Sequence, residues 1–146
     1  MLQRHPAIRQ SGVIPYRIRN GTIEVLLVTN SGGNRWLVPK GHVDAGLTPQ
    51  QSAIKEAYEE AGVLGVPHEL PIGSFEFVKR ARRRVVDLYP MEVATVLDAW
   101  PERSRRKRRW VRLKRATMLV QRDRLARCMD RLRRYLEFEM AADSAA

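Results

Sequence analysis

Cysteine is nearly absent from this chain, which has Cys128 alone among its 146 residues. A single cysteine excludes an internal disulfide, so the fold depends on packing rather than on cross-links, and such usage suits a reducing compartment. Long apolar runs are absent too, since none approaches the roughly 18 residues of a membrane-spanning helix. The first ten residues, MLQRHPAIRQ, lack the apolar core of a signal peptide. The sequence therefore predicts a cytoplasmic protein without a membrane partner.

Negative charge is scarce in the second half of the chain. Residues 1–78 carry 7 Lys or Arg and 7 Asp or Glu, whereas residues 79–146 carry 20 and 9, so the whole net charge of +11 lies there. Such asymmetry points to a polyanionic partner, and nucleic acid, nucleotides, inositol phosphates and anionic lipid all remain open. The alternative is a solvated surface that keeps the protein soluble.

The length and a hydrophobic content of 44% predict one folded domain over residues 1–146. Its core is expected over about residues 11–120, followed by a helix over about 117–139 and a frayed tail over 140–146. A further helix is predicted over 48–61. Strands are predicted over residues 11–18, 22–30, 36–38, 69–78, 85–98 and 110–113. Strands on both sides of a central helix, with a second helix at the end, indicate a mixed α/β domain.

Turn and cap residues support these boundaries. Asn20-Gly21 between two apolar runs is a strong hairpin signal. Thr48 is a good N-cap, Pro49 suits the first helical position, and Gly62 suits the helix end. Pro90 cannot donate a hydrogen bond in a sheet, which predicts that its strand is an edge strand or is bulged or broken there.

Three glutamates crowd the central helix of this basic chain: Glu56, Glu59 and Glu60. Their i, i+3 and i+4 spacing places them on one face, where like charges repel. One interpretation is a solvated acidic face. The other is a site for a hard divalent cation such as Mg²⁺, which prefers oxygen ligands. The preceding loop has Gly41 and Gly46, whose backbone can approach a ligand closely.

Residues 41–63, GHVDAGLTPQQSAIKEAYEEAGV, resemble the Nudix box. The residues in register with that motif are Gly41, Glu56, Glu59, Glu60, Gly62 and Val63. Three positions depart from it, with Leu47 in place of a glutamate, Lys55 in place of an arginine and Ala57 in place of a larger hydrophobic residue. The resemblance implies the Nudix fold, an α/β architecture in which a mixed β-sheet is sandwiched between helices.

The resemblance also implies a chemistry. Nudix hydrolases cleave a nucleoside diphosphate linked to another moiety, with Mg²⁺ or Mn²⁺ as the cofactor. Carried over by position, Glu59 and Glu60 would be the main metal ligands, and Glu56 would be a ligand or would deprotonate the attacking water. The backbone at Lys40 and Gly41 would supply a further ligand.

An additional carboxylate from outside the box is common in the family. The candidates in this chain are Glu92, Asp87, Glu76 and Glu102, of which Glu92 is the choice made here. Lone histidines and hydroxyls at His5, His42, His68, Ser11 and Ser52 have no partner at a spacing typical of nucleophilic catalysis.

Two flanking segments narrow the resemblance. WLVPKG precedes the glutamates, and AWPERSRRKRRWVRLKRA follows the box. Together with the box, these segments are similar to the diphosphoinositol polyphosphate phosphohydrolase branch, whose members also cleave diadenosine polyphosphates. A polyphosphorylated small molecule is therefore the expected substrate.

Basic residues fit such a substrate, because guanidinium groups match phosphate oxygens in pairs. The candidate phosphate ligands are Lys40, Arg82, Arg84, Arg106 and Arg108. Strand alternation would place Arg82 and Arg84 on one face and Arg83 on the other. For each single arginine the alternative is a solvated surface residue, and Trp100 and Trp110 are interpreted as core residues.

Two other functions stay open. A basic surface also suits RNA, so a pyrophosphohydrolase of RNA 5′-triphosphate ends is an alternative. The replacements at Leu47 and Lys55 together with the arginine density would suit a non-catalytic nucleic-acid-binding protein. The three retained glutamates favour an enzyme. The sequence carries no signal for an oligomeric state.

Overall fold

The computed structural model describes residues 5–145, and in that range one mixed sheet contains all the strands. The strands are β1 (Ile8–Arg19), β2 (Thr22–Thr29), β3 (Trp36–Leu37), β4 (Lys40–His42), β5 (Val63–Pro67), β6 (Gly73–Lys79), β7 (Arg82–Val96) and β8 (Arg108–Arg112). The helices are α1 (Pro49–Glu56), which continues as one π-helical turn (Ala57–Ala61), α2 (Leu113–Leu119) and α3 (Asp123–Ala145). None of these helices is long and apolar enough to cross a membrane.

Strand β1 organises the sheet. It pairs antiparallel with β2 and β4 and parallel with β7, which in turn pairs antiparallel with β5 and β6. Because side chains alternate along a strand, β1 contributes to a core on each face of the sheet. Ile14 packs with Leu113 and Leu132 from α2 and α3, whereas Val13 packs with Ala53 and Ala57 beside α1. The expected sheet between helices is confirmed.

The predicted hairpin is present. β1 and β2 are joined by Asn20 and Gly21, which have φ angles of 51° and 77°. Two successive residues at positive φ match the right-handed twist of the flanking strands, and asparagine and glycine tolerate that conformation. The register Arg19↔Thr22 closes the turn and fixes which residues of β1 face α1.

The prediction that the strand of Pro90 is an edge strand, or is bulged or broken there, is wrong. β7 runs unbroken and pairs with β1 through Ile14↔Pro90. The proline is tolerated because its other side lies between the ends of β5 and β6, where the Pro90 carbonyl accepts from the His68 N–H at 2.8 Å. The Pro90 nitrogen, which has no hydrogen to donate, faces the same gap between β5 and β6, because the N–H and C=O positions of one strand residue point to the same side.

The predicted C-terminal helix over 117–139 is wrong in its bounds. α2 begins at Leu113, the chain turns at Gln121 with φ 50°, and α3 then runs to Ala145. The tail was expected to fray from residue 140, but its alanines have the highest helix propensity and continue α3; residue 146 lies outside the described residues. Similarly, the strand expected over 69–78 begins at Gly73.

Candidate active site

Helix α1 is positioned by a complete capping box. The Thr48 side chain accepts from the Gln51 N–H at 3.1 Å, and the Gln51 side chain accepts from the Thr48 N–H at 2.9 Å. Pro49 occupies the first turn, where its missing N–H has no helical partner to lose. The Ser11 hydroxyl donates to the Pro49 carbonyl and joins the helix start to β1. These bonds fix where the helix begins and hence where its glutamates lie.

Small residues hold the other end of this helix against the sheet. Ala53, Ala57 and Ala61 are completely buried, so the backbone packs closely on β1 and β2. The final turn is π-helical and ends at Gly62, with φ 64°. π-helical turns are frequent at functional sites, and this one contains Glu59 and Glu60. The sequence pattern gave no signal for it.

Arg108 stabilises the end of this turn, which corrects its interpretation as a phosphate ligand. Its guanidinium donates to the carbonyls of Ala61 at 2.9 Å and Leu97 at 2.6 Å. It also lies 3.9 Å from the centre of the Trp100 ring. Orphan carbonyls at a helix end need such donors. The side chain is therefore already engaged by protein groups.

Glu60 is a buried carboxylate with two partners. One oxygen accepts from the Lys40 N–H at 3.1 Å, and the other lies 3.1 Å from Arg106. Burial raises the pKa of Glu60 to about 7, against the opposing effect of the Arg106 charge. Because the N–H and C=O of one strand residue point to the same side, the Lys40 carbonyl also faces this carboxylate.

Glu56 lies directly against Gly41 of β4. A Cβ atom at Gly41 would overlap the Glu56 carboxylate, so only glycine allows this approach. Burial, reinforced by the charges of Glu59 and Glu102, raises the pKa of Glu56 to about 7. The box thus places this carboxylate and a strand backbone in direct contact.

Glu59 is partly exposed, with 31% of its side chain accessible. Lys55, which stands where the motif has arginine, lies 3.7 Å from Glu59 and 2.6 Å from Asp44. The lysine therefore holds the helix to the preceding loop, as a point charge without the paired donors of arginine. Leu47, the other departure from the motif, is 38% exposed in that loop and adds no carboxylate to the site.

The carboxylate from outside the box that the structure brings near the glutamates is Glu102, whereas the predicted Glu92 lies elsewhere. The Glu102 N–H donates to the Glu59 carbonyl at 3.0 Å, and its side chain accepts from Arg106 at 2.9 Å. Glu92 is exposed and pairs with Tyr16, four residues along β1 from the partner of Lys40. The two remaining candidates form ion pairs elsewhere, Asp87 with Arg9 and Glu76 with Arg83.

Arg106 is likewise not a free phosphate ligand. Its guanidinium binds Glu60, Glu102 and the Thr29 carbonyl, the last at 2.9 Å, and only 14% of its side chain is exposed. It neutralises two carboxylates that would otherwise be buried without a cation. A buried charge without a partner is strongly destabilising, which explains why arginine is retained here.

The carboxylates fit a hard divalent cation in their chemistry. Oxygen donors from Glu56, Glu59 and Glu60, with the Lys40 carbonyl, are the type that Mg²⁺ binds. Within residues 5–145 no three acidic, histidine or cysteine side chains are already gathered around one point, and Arg106 and Lys55 form ion pairs with Glu60 and Glu59. Binding an ion would replace those cationic contacts.

A cationic cleft lies on the opposite side of β4 from Glu56. It has a volume of about 170 Å³ and is lined by Gln10, Lys40, His42, Phe77, Lys79, Arg80 and Arg84. The Lys40 ammonium lies 4.2 Å from the centre of the Phe77 ring. Burial lowers the pKa of Lys40 to about 8, which the neighbouring cations reinforce. Gln10 Oε1 and Arg84 Nε are buried there without a hydrogen-bond partner.

The predicted alternation along β7 is confirmed, but only one of its two arginines lines the cleft. Arg84 does so, whereas Arg82 lines a different pocket, together with His5, and donates to the Pro6 carbonyl at 3.2 Å. Arg83 pairs with Glu76, outside the cleft. Gln10 and Phe77 were missed, because only the pairing of β6 with β7 brings Phe77 opposite Arg84.

Comparison with known proteins agrees with this architecture. A family model described as NUDIX domain matches residues 8–134. The chain is 32% identical over 152 residues to Nudix hydrolase 12, mitochondrial, of Arabidopsis thaliana, covering 88% of this chain and 74% of that protein. It is 37% identical over 101 residues to diphosphoinositol polyphosphate phosphohydrolase 2 of Mus musculus, covering 67% of this chain and 55% of that protein.

A solved structure shows the same fold. The Ap4A hydrolase of C. elegans, in a binary complex, superposes with a TM-score of 0.79 at 24% identity, covering 90% of this chain and 98% of that one. The curated relatives are often longer, and the chain spans 58% of the length of Nudix hydrolase 21, chloroplastic, of Arabidopsis thaliana, to which it is 34% identical over 75% of its own length. The glutamate-bearing helix, the sheet and these matches show that the chain belongs to the Nudix hydrolase family.

Proposed function

We propose that this protein hydrolyses a phosphoanhydride bond in a nucleoside diphosphate linked to another moiety, with Mg²⁺ or Mn²⁺ as cofactor. The observation that carries the proposal is the position of Lys40. Its backbone N–H binds the buried Glu60 carboxylate, and its ammonium lies in the cationic cleft. One residue thus joins a set of oxygen ligands to a set of phosphate-binding cations.

The proposed roles follow from the geometry. Glu59, Glu60 and the Lys40 carbonyl would hold the metal, which when bound would screen the charge of the diphosphate and acidify a water. Glu56 accepts the proton of the attacking water, since a carboxylate with a pKa near 7 is suited to general base catalysis. Because Gly41 has no Cβ, the Glu56 carboxylate can lie directly against β4.

The cleft binds the substrate phosphates in this proposal. Lys40, Lys79 and Arg84 offer ammonium and guanidinium groups, and the unpartnered Arg84 Nε is a donor that a phosphate oxygen would satisfy. Gln10 Oε1 is an unpartnered acceptor, which suits a hydroxyl of the second moiety. An unsatisfied buried polar atom is costly, so both atoms support a bound ligand.

The second moiety is proposed to be that of a dinucleoside polyphosphate or a diphosphoinositol polyphosphate. The similarity to two proteins, an Ap4A hydrolase and a diphosphoinositol polyphosphate phosphohydrolase, supports this class. The high density of cations in the cleft supports a substrate with several phosphates. The experiment below also tests the two alternatives, which are hydrolysis of RNA 5′-triphosphate ends and nucleic-acid binding without turnover.

The test is phosphate release with Mg²⁺ and with Mn²⁺ from a panel of substrates. The panel holds diadenosine tetraphosphate, a diphosphoinositol polyphosphate, a 5′-triphosphorylated RNA and nucleoside triphosphates. Glu60→Gln is compared with Glu92→Gln, a matched change of an exposed glutamate outside the site. We expect metal-dependent turnover of a small polyphosphorylated molecule, lost in Glu60→Gln alone. Equal activity of both variants, or turnover of RNA alone, would overturn the proposal.

A further inference from the structure

Three exposed arginines follow one another along α3 beside the edge strand β6. They line a cleft of about 320 Å³, whose other wall is formed by Gly73 and Ser74. The three residues are Arg124, Arg127 and Arg131. Residues at i, i+3 and i+7 share a face of a helix, and a rise of 1.5 Å per residue spreads them over roughly 10 Å.

The charge of this row is not neutralised. Elsewhere on α3, Arg133 and Arg134 bind Asp130 at 2.7 and 2.6 Å. In the part of the chain that the structure describes, the row itself has no ion pair with a carboxylate. Its arginines are therefore available to an anion, whereas their neighbours on the same helix are engaged.

The row continues the cationic cleft of the active site. At one end of β6, Arg131 donates to the Ile72 carbonyl at 2.8 Å. Near the other end, the Arg122 guanidinium and the Lys40 ammonium lie 5.5 and 4.2 Å from the centre of the Phe77 ring. Cations thus lie near both ends of β6, the arginine row at one end and the cationic cleft at the other.

We propose that Arg124, Arg127 and Arg131 form a phosphate-binding track for a linear chain of phosphates that leaves the active-site cleft past Arg122. The proposal rests on the proposed function, because the chain enters from the cleft where the diphosphate is cleaved. Guanidinium groups bind phosphate oxygens in pairs. The walls of the track contain no aromatic ring, so they favour a phosphate chain over single-stranded nucleic acid, which needs stacking surfaces for its bases.

Direct binding tests the track without turnover. A triple variant, Arg124→Gln, Arg127→Gln and Arg131→Gln, is compared with a control of equal charge, Arg109→Gln, Lys114→Gln and Arg115→Gln, which changes exposed residues of β8 and α2. Binding of a linear inorganic polyphosphate of defined length is measured by calorimetry in the presence of a chelator. We expect the track variant to bind about tenfold more weakly than wild type, from three exposed charge contacts, and the control to change by less than about threefold.

Kinetics separate this proposal from the proposed function. The track variant should raise KM for diadenosine hexaphosphate and leave KM for diadenosine tetraphosphate unchanged. Equal loss of polyphosphate binding in both triple variants would overturn the track, and so would weakened binding of a single-stranded RNA oligonucleotide with unchanged polyphosphate binding. If wild type hydrolyses neither dinucleotide, the proposed function fails, and the binding comparison still decides the track.

Discussion

Replacing Arg106 tests whether this arginine supports the glutamates or binds substrate. Its guanidinium lies 3.1 Å from Glu60 and 2.9 Å from Glu102, and those two side chains are only 6% and 16% exposed. Removing one partner from a buried ion pair costs about 3–5 kcal/mol, since the remaining charge is left without compensation. We therefore expect Arg106→Gln to lower the free energy of unfolding of the metal-free protein by about that amount.

Its neighbour provides the control. Arg105 is 66% exposed and lies 3.7 Å from Glu102, so Arg105→Gln should cost less than about 1 kcal/mol. Both variants are measured by urea unfolding with a chelator and again with Mg²⁺. Mg²⁺ should restore part of the loss in Arg106→Gln, because a bound ion replaces the missing cation. Equal unfolding free energies of the two variants, with a rise in KM for Arg106→Gln, would refute the reasoning and return Arg106 to the substrate.

Two further predictions concern the same carboxylates. Gly41→Ala should lower kcat/KM at least tenfold while the protein stays folded. The new Cβ would displace the Glu56 carboxylate, and a small misplacement of a catalytic group can lower the rate about 100-fold. The control is Gly32→Ala, which has ordinary contacts in an exposed turn and should match wild type in steady-state kinetics. Burial raises the pKa of Glu56 and Glu60 from 4.5 to about 7, so the folded, metal-free protein holds protons that the unfolded chain releases. Its free energy of unfolding should fall as pH rises from about 4.5 to about 7. Urea unfolding across that pH range should show a shallower fall for Glu60→Gln than for wild type. An identical dependence on pH in the two proteins would contradict the raised pKa of Glu60.

Local signals sufficed where neighbouring residues decide the structure. Asn20-Gly21 specified its hairpin, and Thr48 with Pro49 specified the start of α1, because turns and caps depend on a few adjacent residues. The three glutamates were identified by their register with the Nudix box, since their i, i+3 and i+4 spacing alone also fits a solvated acidic face. The role of Lys55, which departs from the motif, could be read only from the structure, where this lysine lies beside Asp44.

Long-range pairing explains the errors. Arg106 and Arg108 sit in a basic run whose composition suggests phosphate binding, but the sheet brings them to buried carboxylates and orphan carbonyls. Glu92 was chosen over Glu102 because sequence distance does not reveal which loop returns to the helix. Pro90 was predicted at an edge, a bulge or a break because the interval between β5 and β6 is set by pairings that end at Pro67 and Gly73, which are distant in sequence.

The most direct test is a crystal structure with Mn²⁺ and a non-hydrolysable diadenosine polyphosphate, using the anomalous signal of manganese. The proposed function predicts Mn²⁺ bound by the carboxylates of Glu59 and Glu60 and the Lys40 carbonyl, with Glu56 beside a metal-bound water and phosphate oxygens against Lys40 and Arg84. Arg106 should keep its ion pair with Glu102. Manganese peaks away from these glutamates, or phosphates bound outside the cationic cleft, would contradict the proposed site.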